Sequence, residues 1–193
     1  MSSDQMATRL LFLPGLGSSD AEHWQTLWGQ QLPTSYRFKP GSWDAPELSD
    51  WIQALDSAID ETEGPVLLVA HSLSCLLVAH WAHANDIDGK KTRRLAQVRG
   101  AFLVAAPDPA SSACPPEISS FRHIPTQPLP FPALVITSSN DPYATSAFAH
   151  NLADEWQAGF VNVGDCGHIN AASQLGEWPQ GWALLEAFRA GTR

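Results

Sequence analysis

The sequence predicts a three-layer α/β/α sandwich built on a mainly parallel, six-stranded sheet. Three observations predict it. Short apolar runs alternate with longer segments of helical periodicity along all 193 residues. The most hydrophobic runs are continuous rather than alternating, as in strands covered on both faces. A hydrophobic content of 44% supplies a substantial core for one domain spanning residues 1–193.

The elements follow in order. "RLLFLP" (9–14) is a compact strand ending in Pro-Gly. "DAEHWQTLWGQQL" (20–32) spaces Trp24, Leu27, Trp28 and Gln31 as a helix behind a Ser-Ser-Asp cap signal. "YRFKP" (36–40) is a short edge strand that Pro40 ends. "PELSDWIQALDSAIDE" (46–61) is an amphipathic helix with Pro46 at its start. "PVLLVAH" (65–71) reads as a strand buried on both faces, and "SLSCLLVAHWAHAN" (72–85) as a helix. "RGAFLVAAP" (99–107), "PALVITSS" (132–139) and "GFVNVG" (159–164) complete the six strands. "ATSAFAHNLADEWQ" (144–157) is helical, and in 173–190 Pro179 confines the firm helix to the residues that follow it. Residues 107–131 hold seven of the fifteen prolines and form a long irregular connection, the natural partial cover for a site.

Charge and cysteine content exclude several functions. The net charge is −9, and "GKKTRR" (89–94) is the sole basic cluster, a solvated loop or helix start. No nucleic-acid partner is expected. "MSSDQMATR" has no apolar signal core, and the run at 66–82 is short and interrupted by His71, Ser72, Ser74 and His80. The expectation is a cytoplasmic protein with no membrane contact. Cys75, Cys114 and Cys166 are an odd set without metal-type spacing, which suits a reducing compartment, with Cys166 read as an inert thiol. His80 and His83 stand three apart on a helix but lack a third ligand. No metal and no cofactor is expected.

The chemistry sits just beyond the strand ends. In parallel α/β sheets ligands bind outside the carboxyl ends of the strands. Those positions hold "PGLGSS" after the first strand, "HSLS" after the third, "APD" after the fourth, "SSNDPYA" after the fifth and "GDCGHIN" after the sixth. Singly, each has an ordinary use: Ser72 as a helix cap, Asp141 as a turn residue before Pro142, Gly15 and Gly17 as a turn. Together, Ser72, Asp141 and His168 stand in the chain order of a Ser-Asp-His hydrolytic triad. A serine hydroxyl needs a base to take its proton, and the base needs a partner to fix its tautomer. The sharp turn needs small residues two before and two after Ser72. Ala70 and Ser74 stand where glycines are usual, so Ser72 is expected in a strained backbone conformation. Leu73 N–H, opening the next helix, and Leu16 N–H are the candidate oxyanion donors, the latter with its neighbours as alternatives. Gly15 and Gly17 allow close substrate approach, and Trp178, near His168 in sequence, is a candidate pocket wall. His71 is expected to make a structural hydrogen bond, and His23 to support the Gly-rich loop.

At these residues the sequence resembles the small serine hydrolases related to retinoblastoma-binding protein 9 and the bacterial YdeN-like proteins. The segments that carry the resemblance are "LPGLGSSDAEHWQTLW", "VLLVAHSLS", "SSNDPYA" and "GDCGHINAASQLGEWPQG", spread over residues 13–181. The resemblance implies a compact α/β-hydrolase fold without a lid domain, Ser72, Asp141 and His168 as the triad, and hydrolysis of small carboxyl esters or amides. The alternatives are a non-catalytic interaction module on the same scaffold and, within hydrolases, an amidase or peptidase.

Overall fold

The computed structural model describes residues 7–87 and 90–192. Most of "MSSDQMATR", and Gly89 of the basic cluster, lie outside the described residues. The elements in chain order are β1 (Arg9–Leu13), α1 (Trp24–Gln31), β2 (Tyr36–Arg37), α2 (Leu48–Glu61), β3 (Val66–His71), α3 (Leu73–Asn85), β4 (Asp86–Ile87), β5 (Lys90–Lys91), α4 (Arg93–Gln97), β6 (Val98–Val104), β7 (Ala133–Thr137), α5 (Ser146–Glu155), β8 (Gly159–Asn162) and α6 (Pro179–Gly191). Six strands form one sheet in the order β2-β1-β3-β6-β7-β8, and every pairing in it is parallel.

Alternation along the strands divides the core into two layers. Leu11, Leu13, Leu68, Ala70, Leu103 and Val135 face Trp51, Leu55 and Ile59 of α2, the inner side of α3, and Leu152 of α5. Leu10, Phe12, Leu67, Val69, Phe102 and Ile136 face Trp24 and Trp28 of α1 and Leu185 of α6. β3 is buried at all six positions, because both layers cover it.

Differences from the expected elements are local. α1 begins at Trp24, not at 20, because Asp20 spends its carboxylate on Glu22 N–H at 3.0 Å and His23 is the cap instead. The basic cluster is built into structure: Lys91 pairs in the small antiparallel β4–β5 ribbon, Thr92 caps α4, and Arg94 bridges Asp56 and Asp60 of α2. The Pro-rich connection is irregular except for a 3₁₀ turn at Pro116–Phe121, which drives Ile118 and Phe121 into the core. No helix among the described residues is long and apolar enough to cross a membrane.

Candidate active site

Ser72 follows the last residue of β3 and precedes the first of α3, with φ 55° and ψ −126°. A non-glycine residue in this region is held there by its surroundings. Ser72 N–H donates to Val104 O at 2.8 Å, and Cys75 N–H returns to Ser72 O at 2.9 Å. The two expected small residues act differently. Ala70 is fully buried, whereas Ser74 donates its hydroxyl to Pro14 O at 2.6 Å, tying the first turn of α3 to the end of β1. Gly15 of the neighbouring loop packs tightly against Ser72: a β-carbon there would lie 2.8 Å from Ser72 Cβ.

Ser72 caps α3 by position, yet its side chain makes no capping bond. Ser72 Oγ lies instead 2.8 Å from His168 Nε2. His168 Nδ1 meets Asp141 Oδ1 at 3.0 Å and Oδ2 at 2.9 Å, so the proton sits on Nδ1 and Nε2 is free to accept. The Asp141 side chain is 1% exposed, and its Oδ1 also takes Tyr143 N–H at 2.9 Å. The loop carrying His168 is pinned on several sides. Gly167 N–H donates to Asn140 Oδ1 at 2.7 Å, Cys166 N–H to Ser138 Oγ at 2.8 Å, and Trp24 Nε1–H to Ile169 O at 2.8 Å. His71 Nε2–H donates to the carbonyl of His168 itself at 3.0 Å, the structural hydrogen bond expected of it. Cys166 thus contributes its backbone to the loop.

The loop after β1 forms a tight turn. Ser18 N–H donates to Gly15 O at 3.0 Å, with Gly17 at φ 73° and Ser18 at φ 69°. Gly17 N–H donates to Trp43 O at 3.0 Å. Leu16 and Leu73 N–H make no hydrogen bond to any described residue. A β-carbon on Gly15 would stand 3.3 Å from Leu73 N, which brings the residue preceding Leu16 against the start of α3.

A cavity of about 170 Å³ opens onto these groups. Leu16, Ser18, His23, His71, Ser72, Leu73, His168 and Asn170 line it, together with Tyr143 and, from the Pro-rich connection, Pro107, Cys114, Pro115 and Ile118. Among the described residues, no Lys, Arg, Asp or Glu lines it. The two additional histidines are held neutral. Burial, opposed in part by Asp20, lowers the His23 pKa to about 4. Burial likewise holds His71 well below the ordinary histidine value, with the neighbouring His23 and His168 adding to the effect. The ring centroids step from His23 to His71 at 4.7 Å and on to His168 at 5.1 Å.

Trp178 does not line the cavity. It is 2% exposed and stacks on Trp28 at 5.9 Å and 5° between planes, with Trp24 at 5.2 Å. Its proximity to His168 in sequence is undone by the short turn at Ala171–Ser173 and by its own left-handed conformation (φ 44°), which swing the indole between α1 and α6. Gly15 and Gly17 shape the loop, while their neighbours Leu16 and Ser18 present the surface. The sequence did not point to Tyr143, whose ring packs edge-on to His168 at 4.6 Å, or to Cys114 and Ile118. The Tyr143 signal lay within "SSNDPYA", two residues beyond Asp141.

Helix α1 and the segment that follows His168 meet in space. Trp24 binds the carbonyl of Ile169, and Trp28 Nε1–H binds the carbonyl of Glu177 at 2.6 Å, while Gln25 donates to Leu13 O at 3.3 Å and Val69 O at 2.9 Å. α1 is therefore the strut between the strand ends and the His168 loop.

A parallel sheet of this order, with a serine at the turn after a central strand, defines an α/β-hydrolase. The chain belongs to the serine hydrolase family, whose model matches residues 10–187. A crystal structure described as a YdeN-like hydrolase from Pectobacterium atrosepticum is 30% identical, with 96% of this chain and 92% of that one covered at a TM-score of 0.81. The ydeN gene product of B. subtilis is 18% identical, covering 95% and 99% at a TM-score of 0.73. A monoacylglycerol lipase from Paleococcus ferrophilus shares the fold at 13% identity, covering 94% of each chain at a TM-score of 0.69. No curated protein matches the chain.

Proposed function

We propose that this serine hydrolase cleaves small, uncharged carboxyl esters through an acyl-enzyme on Ser72. The observation that carries the reading is the unbroken path from Ser72 Oγ through His168 to Asp141, at 2.8 and 2.9 Å. As Ser72 Oγ attacks the ester carbonyl carbon, its proton passes to His168 Nε2, and Asp141 steadies the imidazolium. The carbonyl oxygen becomes an oxyanion facing Leu73 N–H and Leu16 N–H. Collapse breaks the bond to the leaving alkoxide, which takes the proton from Nε2. Water then repeats the sequence on the acyl-enzyme, releasing the acid and restoring Ser72.

The substrate class follows from the cavity. Its volume of about 170 Å³ suits a short acyl chain. With no charged lining residue among those described, two neutral histidines and a net charge of −9, its wall holds no cationic side chain to pair with an anionic acyl group. The test is pre-steady-state hydrolysis of p-nitrophenyl butyrate against its hemisuccinate counterpart. The expected result is a burst of one p-nitrophenol per chain with the butyrate and far slower turnover of the hemisuccinate. Absence of a burst and of turnover with every short ester would overturn the reading.

A further inference from the structure

We infer that Arg37, on the edge strand β2, is a positioning residue that locks the Leu16 loop in its oxyanion-donating form. The inference rests on the ester-hydrolase reading above, since it assigns Arg37 a task only if Leu16 N–H faces a developing charge.

Arg37 stands opposite Phe12 in the β1–β2 register, two residues before Pro14 opens the loop. Its guanidinium binds the far side of that loop almost exclusively. Nη2 donates to Ser18 Oγ at 2.9 Å, Ser19 Oγ at 2.6 Å and Ser19 O at 3.2 Å, while Nη1 reaches Thr26 Oγ1 at 3.3 Å. Thr26 Oγ1 in turn donates to Ser19 O at 3.2 Å, so α1 closes the same clasp. The guanidinium carbon also lies 6.0 Å from the centre of the Trp43 ring, and Trp43 O accepts Gly17 N–H.

The loop needs this support. Gly17 and Ser18 are both left-handed, at φ 73° and 69°. Glycine adopts that conformation freely, but serine keeps it only when neighbouring contacts over-determine it. At Ser18 those contacts are Gly15 O, which accepts its N–H, and Arg37, which donates to its hydroxyl oxygen. The turn so fixed leaves Leu16 N–H without an acceptor among the described residues, beside the start of α3.

The second observation is the company Arg37 keeps. Among the described residues no carboxylate pairs with it. A half-buried guanidinium with only neutral oxygens as partners is an uncompensated cation held behind the oxyanion loop. Its field reaches the cavity wall at His23, whose pKa is lowered chiefly by burial, with Arg37 adding to that effect against a larger opposing influence of Asp20. A negative charge forming at the substrate carbonyl would be stabilised by the same field. A positively charged fork is needed for both tasks, and lysine has only the charge.

The test compares Arg37→Met and Arg37→Lys with the unmodified chain, using p-nitrophenyl butyrate turnover and the affinity of a tetrahedral boronic acid. For Arg37→Met, kcat should fall roughly 10- to 100-fold with KM nearly unchanged, and boronate affinity should fall in the same proportion. Arg37→Lys should recover part of that loss. Thermal unfolding records whether each variant is folded. If Arg37→Met does not fold, the Lys variant and Ser19→Ala, which removes the shortest of the clasp bonds, carry the same comparison. Folded variants that keep kcat and boronate affinity within about twofold overturn the positioning role and leave the ester reading intact. A fall in stability with unchanged kcat marks Arg37 as a mere strut and likewise overturns it. An unmodified chain that neither turns over esters nor binds boronate overturns both.

Discussion

Gly15 and Ser72 approach so closely that a β-carbon on the first would lie 2.8 Å from that of the second. The same added atom would meet His71 O at 3.1 Å and Leu73 N at 3.3 Å. These neighbours are one β-carbon and two backbone atoms, all fixed by the main chain, so no flexible side-chain end can yield. Gly15→Ala therefore pushes the Leu16 loop away from the start of α3. The expected outcome is a destabilisation of about 1–3 kcal/mol and a loss of kcat of roughly 100-fold, read by urea unfolding and steady-state ester hydrolysis. Retention of full activity would show that the two segments are not mutually fixed.

The conformation of Ser72 yields a stability prediction independent of chemistry. Ser72→Gly and Ser72→Ala both remove the hydroxyl, but only glycine is relaxed at φ 55° and ψ −126°. Ser72→Gly should be more stable than Ser72→Ala by about 1 kcal/mol, measured as the difference in urea midpoints. The reverse order, as on an ordinary helix, would mean that the turn stores no strain.

The acidic side of the stability profile follows from the two buried neutral histidines. The pKa of His23 is about 4 in the folded chain against 6.5 unfolded, and burial holds that of His71 well below the ordinary histidine value. Between pH 6.5 and 4 the unfolded chain binds protons that the folded chain refuses, so stability is full above pH 6.5 and declines as pH falls through that window. His23 alone accounts for about 3 kcal/mol of the decline. His23→Asn keeps a capping acceptor for Gln25 N–H and removes the titration, so its unfolding free energy should fall less steeply from pH 7 to 4.5. An identical slope in both proteins would contradict the assignment.

Asp141 holds His168 Nδ1 through both carboxylate oxygens. Asp141→Asn preserves the shape but offers the imidazole an amide that stabilises the wrong tautomer. Turnover should fall roughly 10³- to 10⁴-fold with KM little changed. Measurement of kcat with p-nitrophenyl butyrate decides it, and a loss under tenfold would remove Asp141 from the reaction.

Much of the fold was legible because parallel strands buried on both faces leave continuous apolar runs, as "VLLVA" does, and because function collects where those runs stop. That rule singles out Ser72, Asp141 and His168 as candidates, and the structure brings their side chains within hydrogen-bonding distance. Contacts that depend on side-chain direction were not legible. Trp178 lies ten residues after His168, but its left-handed backbone turns it into the core. The start of α1 at Trp24 hinged on His23 acting as the cap, which the serines and Asp20 before it concealed. Arg37 looked like one residue of a weak edge strand, because its role lies in a loop twenty residues earlier. The absent glycines at 70 and 74 are resolved by division of labour: Ser74 ties α3 to Pro14, and Gly15 supplies the room beside Ser72.

The account stands most directly on the nucleophilicity of Ser72. Incubation with a fluorophosphonate, followed by peptide mass spectrometry, should place one phosphonyl adduct on Ser72. Ser72→Ala should abolish the adduct, and His168→Ala should slow its formation by several orders of magnitude, roughly the 10³–10⁶ range of triad deletions. An adduct that persists in Ser72→Ala, or that forms at the same rate without His168, would contradict the account.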